Sequence, residues 1–193
     1  SYLRRVQDRG ETNITVTLTM GAQRMPLAPS FNLIGEIKGS KYPDQYVIMG
    51  GHTDSWDVGQ GAHDDAGGVF AAWEALRLIK ASGLVPQRTI RVVGWVDEEQ
   101  GGTGSDAYAT THASELPNTI IAMESDGGTF DPTGLMYTGT TKGYSGARKI
   151  GSYYLEKYLN VQVGSTTSPD ADITPLANRG VPTFSLRNSG GVG

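Results

Sequence analysis

An α/β fold is the class this sequence predicts: a three-layer α/β/α sandwich around a mixed, largely parallel central sheet. Three observations lead there. Short apolar or β-branched runs of strand length recur along the chain, segments with helical spacing fall between them, and glycines mark the breaks. No internal repeat and no long linker divides the 193 residues, so a single domain is expected.

Taken in order, Thr12 to Met20 alternates Ile14, Val16, Leu18 and Met20 with threonines, the pattern of a half-buried strand that can pair antiparallel at an edge. Asn32 to Lys38 is a weaker strand. Tyr46 to Met49 is a buried strand closed by Gly50-Gly51. Val69, Phe70, Trp73, Leu76 and Ile79 recur at helical spacing between Gly68 and Ser82, with Gly83 as the stop. Thr89 to Val96 is a β-branched strand, Ser105 to Thr111 a short helix, and Thr119 to Met123 a further buried strand. Ser145 to Leu159 is a second helix, and Val181 to Leu186 the last strand.

Composition narrows the function. A net charge of −4 argues against nucleic acid as a partner, which calls for a basic face. No apolar run approaches the roughly 20 residues of a membrane span. Without cysteine there is no thiol chemistry and no Cys-ligated zinc, so a metal would have to be held by His, Asp and Glu. Glycine, at 27 residues, is about twice its ordinary share of ~7% and gathers beside acidic residues.

The segments just after the buried strands carry the chemistry. Tyr46–Met49 leads to Gly50-Gly51-His52-Thr53-Asp54-Ser55, Thr89–Val96 to Asp97-Glu98-Glu99, and Thr119–Met123 to Glu124-Ser125-Asp126. In open α/β sheets the crevice beyond the carboxyl ends of the strands is where ligands bind. An imidazole and several carboxylates aimed into it repel one another unless a divalent cation offsets the charge. Asp54, two residues past His52, can accept the second ring N–H. Asp64 and Asp65, in Gly61-Ala-His63-Asp64-Asp65-Ala-Gly-Gly68, can reach the crevice or cap the following helix. The adjacent Glu98 and Glu99 point in different directions, so one can ligate metal while the other moves a proton. Each acidic residue taken singly is also an ordinary loop polar or helix cap.

Two rival readings stand beside this one. Gly102-Thr103-Gly104-Ser105-Asp106-Ala107 fits a dinucleotide fingerprint, yet three acids precede it where a pyrophosphate would sit. The other rival is a catalytically inactive domain of the same fold that serves as a binding module. Trp56, Tyr144, Tyr153 and Tyr154 are expected to pack, Asp170 and Asp172 to cap a helix near Ile173, and His112 to be a solvated surface residue.

The motifs Gly51-His52-Thr53-Asp54-Ser55, Gly61–Gly68, Glu98–Ser105 and Ser125-Asp126, taken together, resemble peptidase family M28, the two-zinc aminopeptidases and carboxypeptidases. Within it the chain is most similar to the plasma glutamate carboxypeptidase branch. From His52 to Asp64 is 12 positions, from Asp64 to Glu99 35, and from Glu99 to Asp126 27, spacings that accord with this branch. The resemblance runs from about Asn32 to Leu186. It implies a zinc metallo-exopeptidase acting on dipeptides or short peptides with two Zn2+. Asp64 would bridge the ions, His52 and Asp126 would share one, and Glu99 would hold the other. Glu98 would be the general base, Asp54 the partner of His52, and the Asp64–Asp65 peptide bond cis. It further implies a secreted, periplasmic or lysosomal setting and is compatible with a homodimer. The family places one more histidine after the strand Val181–Leu186, and this chain reaches Gly193 without one. The expectation is therefore that residues 1–193 are a fragment of the catalytic domain, without the last ligand and the protease-associated domain, and impaired as they stand.

Overall fold

The structure, a computed structural model, describes residues 2–23 and 25–190. Seven strands form one sheet in the order β1-β3-β2-β4-β7-β5-β6. They are β1 (Leu33–Ile37), β2 (Tyr42–His52), β3 (Arg88–Trp95), β4 (Thr119–Glu124), β5 (Pro132–Thr138), β6 (Gln162–Ser165) and β7 (Thr183–Asn188). β2, β3, β4 and β7 run parallel. β1 joins β3 antiparallel at one edge, and β5 reverses against β7 before β6 pairs parallel with it. The sheet is mixed and largely parallel, as the alternation of elements implies.

The longest helix, α2 (Ala66–Ala81), begins where Asp65 accepts the Gly68 N–H and ends before Gly83, whose φ of 71° favours glycine. α2 lies against β2 and β3 on one face of the sheet. On that face Val69, Leu76 and Ile79 are half-buried, while Phe70 and Trp73, expected to be apolar contacts, stay exposed. The same face carries α4 (Thr141–Gly151), which packs on β5 and β6. The opposite face is covered by α3 (Thr103–Thr111), the 3-10 turn Leu116–Asn118 and α6 (Thr174–Ala177). There Ile48, Val93, Trp95, Tyr108, Ala122, Ile173 and Leu176 form the core.

The helix expected over Ser145–Leu159 starts earlier, capped by Thr140, and runs through a π turn (Ser152–Glu156) into α5 (Lys157–Leu159). β5 and β6 are strands that the sequence pattern does not place. Pro132 and Gly134 in one, and only four residues in the other, leave little periodicity to detect. α1 (Tyr2–Asp8), likewise unplaced, buries no residue.

One expected strand is corrected. Thr12 to Met20 takes no regular structure and pairs with nothing among the described residues, and Val16, Leu18 and Met20 are 67%, 76% and 67% exposed. Alternation marks a strand only where a neighbour supplies its hydrogen bonds. The antiparallel edge belongs to β1 instead.

Candidate metal centre

β2 lies between β3 and β4, so the three motif-bearing strands are neighbours in space. His52 pairs with Trp95 at the end of β3, and Gly50 with Glu124 at the end of β4. The loops beyond these strands therefore leave the sheet at one crevice.

His52 is 1% exposed and ends β2. Its Nδ1 lies 3.0 Å from the carbonyl oxygen of Asp54 and 3.6 Å from that residue's carboxylate. Nδ1 thus donates to the Asp54 carbonyl, and Nε2 faces the crevice carboxylates. Nε2 is 3.1 Å from Asp64, 3.5 Å from Asp126 and 3.9 Å from Glu98. The Asp54 carboxylate does something the sequence did not suggest: its two oxygens accept the backbone N–H groups of Glu98 and Glu99. The closer contact to His52 is made by the Asp54 carbonyl.

The β3 loop turns sharply at Asp97, a non-glycine residue with φ of 68°, whose side chain is held by Thr103. That turn sends Asp97 outward and brings Glu98 and Glu99 in. One oxygen from each, with His52, forms one group of donors within 4.8 Å of one another, and His52, Asp64 and Asp126 form a second. All five residues proposed from the sequence as ligands or base are brought together here, with Asp54 directly behind them. Two sets of N and O donors meeting at one imidazole suit a divalent cation such as zinc, which would displace the ring proton.

The charge of His52 offsets part of the repulsion among the crevice carboxylates, pulling on Glu98, Glu99 and Asp65. Burial draws His52 toward its neutral form, but the hydrogen bond and charge of Asp126 outweigh it and carry the ring up to about 10. Burial raises Glu98, which is also pushed up by Asp126, Glu99 and Asp54 against the pull of His52. Glu99 is raised in the same way, first by desolvation and then by Asp64.

Asp65 plays the capping role left open between it and Asp64. It is 1% exposed, accepts from Gly68 and from the His52 backbone N–H, and is raised by burial to about 7. The Asp64–Asp65 bond is cis, as the resemblance implies. Gly68 lets α2 approach closely: a Cβ there would fall 1.8 Å from the Ser125 carbonyl oxygen, next to Asp126.

Beneath Asp126 lies a feature that sequence reasoning missed. Glu124, 1% exposed, accepts the backbone N–H groups of Asp172 and Ile173, tying the approach to α6 onto the end of β4. Asp172 is fully buried and does not cap α6; Ser105 is the side chain that eases the burial of its carboxylate. Its carboxyl is raised to about 7, chiefly by burial. Nothing in the local pattern marks this pair, because the contact joins residues 48 apart.

The remaining histidines and aromatic residues depart from expectation in part. His112 is not freely solvated: it stacks on Tyr108 and bonds Glu115, far from the crevice. His63 lies against Thr129 and Phe130 and belongs to neither donor group. Trp56, Tyr153 and Tyr154 are 60%, 59% and 59% exposed, so they do not pack as expected.

Known proteins share both sequence and fold with this chain. Carboxypeptidase Q of Rattus norvegicus is 45% identical over 184 residues, which is 95% of this chain and 38% of that protein. Carboxypeptidase Q of Homo sapiens is 48% identical over 173 residues, 90% of this chain and 36% of that protein. The chain thus spans well under half the length of these relatives. A crystal structure of a peptidase M28 precursor from Shewanella amazonensis superposes with a TM-score of 0.76 at 37% identity, covering 81% of this chain and 35% of that one. The family model described as peptidase family M28 matches residues 32–191, which contain all of the crevice residues, and the chain belongs to that family.

Proposed function

We propose that this chain carries the metal centre of an exopeptidase that hydrolyses the terminal peptide bond of dipeptides or short peptides, with two zinc ions as cofactors. The observation that carries the reading is the convergence of His52, Asp64, Glu98, Glu99 and Asp126, from four separate segments, around the Nε2 side of one imidazole. Asp64, grouped with His52 and Asp126 and near enough to Glu99 to raise its carboxyl, is the residue that the family resemblance assigns to share both ions. His52 and Asp126 would hold one, and Glu99 the other. When bound, the ions polarise the scissile carbonyl and make water acidic enough to attack at neutral pH.

The chain's own residues supply the rest. Glu98, raised by burial, accepts the proton of the attacking water and returns it to the leaving amine. Asp54 fixes that base by holding the backbone of Glu98 and Glu99, and its carbonyl fixes the tautomer of His52. The relatives named carboxypeptidase Q support a peptide substrate. A secreted, periplasmic or lysosomal setting accompanies the family reading, and among the described residues no helix is long and apolar enough to cross a membrane.

Elemental analysis after dialysis against trace zinc tests the centre. Close to two ions per chain is the expected result. One ion would refute the dinuclear assignment, and none would refute the centre itself.

A further inference from the structure

A cleft of about 540 Å³ opens where β5, β6 and the start of α4 meet, lined by Tyr137, Thr140, Thr141, Tyr144, Thr166 and Thr167 among others. It is separate from the metal centre. β5 runs against β7, and Thr138 pairs with Thr183 at the start of β7, so the chain leaves β5 toward the end of the sheet opposite the metal-binding loops.

Three features of the cleft point to a ligand. The first is Tyr137, only 4% exposed, with its ring packed against Phe184 and Tyr144. Its hydroxyl makes no hydrogen bond to a protein group among the described residues and is not sealed from solvent, so it opens on the cleft. The second is the place of that hydroxyl, tight against the first turn of α4. A Cβ on Gly139 would fall 2.5 Å from it and one on Gly143 would fall 2.0 Å from it, so the loop admits the phenol only because both residues are glycine.

The third feature is the N-terminus of α4, an 11-residue helix with no acidic residue in its first turn. Thr140 satisfies the Gly143 N–H with its side chain and the Tyr144 N–H with its carbonyl. The N–H groups of Thr141 and Lys142 are left without an acceptor in the helix, and they carry the positive end of its dipole. None of the residues lining the cleft is acidic.

We propose that this cleft binds a small oxyanion, of which inorganic phosphate is the type. The Tyr137 hydroxyl, the Thr141 hydroxyl and the first free N–H groups of α4 would be the donors. A helix start with backbone donors and no competing carboxylate selects negative charge, and the buried phenol adds a directional donor. Thr166 and Thr167 bound the far side, the Thr166 hydroxyl being engaged with the Ser168 backbone.

Two substitutions isolate the donors without disturbing the fold. Tyr137→Phe keeps the packed ring and deletes only the hydroxyl. Thr141→Pro removes the first N–H and the hydroxyl at a position where proline suits a helix. The preceding residue, Thr140, has φ −74° and ψ 152°, the extended conformation that a residue before proline prefers.

The test is calorimetric titration of the metal-free chain with inorganic phosphate, in the presence of chelator so that no zinc can capture the anion. Saturable 1:1 binding in the millimolar range or tighter is expected, competed by sulfate but not by chloride. Each variant should weaken it at least tenfold with an unchanged melting temperature in the absence of phosphate. His52→Ala should bind phosphate like the parent. Absence of saturable binding to the parent chain overturns the proposal, as does binding that survives Tyr137→Phe undiminished.

Discussion

Two glycine-to-alanine changes in helices should move stability in opposite directions, and the difference is worked from the backbone alone. In a solvent-exposed helix interior alanine is better than glycine by about 1 kcal/mol, because glycine loses more backbone freedom on folding. Gly146 in α4 is such a site, with nothing within 4 Å of an added Cβ. Gly146→Ala should therefore stabilise by about 0.5–1 kcal/mol. Gly68 in α2 has the same helical conformation but a Cβ there would sit 1.8 Å from the Ser125 carbonyl oxygen and 2.5 Å from the Asp65 carboxylate. Neither neighbour is the end of a flexible chain, since one is backbone and the other is held by two hydrogen bonds. Relieving overlaps of this kind costs about 1–3 kcal/mol, sometimes more, which exceeds the propensity gain.

The net expectation for Gly68→Ala is a loss of about 1–2 kcal/mol. The helix must back away from Ser125, and Asp126 moves with its neighbour, so zinc affinity should drop at least tenfold. Urea unfolding of both variants at pH 7 gives the stabilities, and competition with a chromophoric chelator gives the affinity. Gly68→Ala with parental stability and parental zinc affinity would refute the reasoning. Destabilisation by Gly146→Ala would refute the propensity half.

The same geometry yields further expectations. Glu98→Gln should lower turnover of a dipeptide by about 10²–10⁴-fold while zinc content is retained, since the amide cannot accept the proton; equal loss of zinc would make Glu98 a ligand instead. Asp64→Asn should lose zinc outright, and a variant holding two ions by elemental analysis contradicts the shared position. The metal-free chain should become less stable from pH 5 to pH 8. Asp65 and Asp172 have folded-state values near 7 against 3.8 unfolded, so their stabilising contribution is complete below 3.8 and lost as pH rises through 7. His52, raised to about 10 from 6.5, adds a loss in the same direction above 6.5. A melting temperature that falls by more than about 3 °C over this range is expected, and zinc should reverse the fall at pH 8 because its ligands bind deprotonated; a flat profile counts against it. Arg91→Met should destabilise by about 2–3 kcal/mol in urea. The guanidinium is 6% exposed and bonds Glu36, Glu115 and Tyr108, but the two acids keep some solvent, which trims the cost of a fully buried pair.

Much of the centre is legible before any coordinates. The residues proposed for the metal centre lie at or just beyond the ends of buried strands or at the start of a capped helix, and both kinds of place have local signatures. The run Tyr46–Met49 with Gly-Gly-His after it is visible because strand ends and glycines constrain the backbone within a few residues. The dinucleotide rival fails for an equally local reason: Glu98 and Glu99 stand ahead of Gly102 and turn into the crevice.

Sequence by itself determined the alternating elements, the mixed sheet and the set of acidic and histidine residues able to meet, since these depend on period and on nearest neighbours. Only the tertiary structure decided which strands lie side by side, and with that the use of the Asp54 carboxylate on the Glu98-Glu99 backbone rather than on His52. It alone decided that Thr12–Met20, despite clean alternation, has no strand beside it, whereas the poorly patterned β5 and β6 are held in the sheet by their neighbours. The burial of Glu124 against the backbone of Asp172 and Ile173 is of the same kind. Contacts between residues dozens of positions apart leave no periodic trace in the chain, because they are set by how whole elements pack and not by the conformational preference of any one segment.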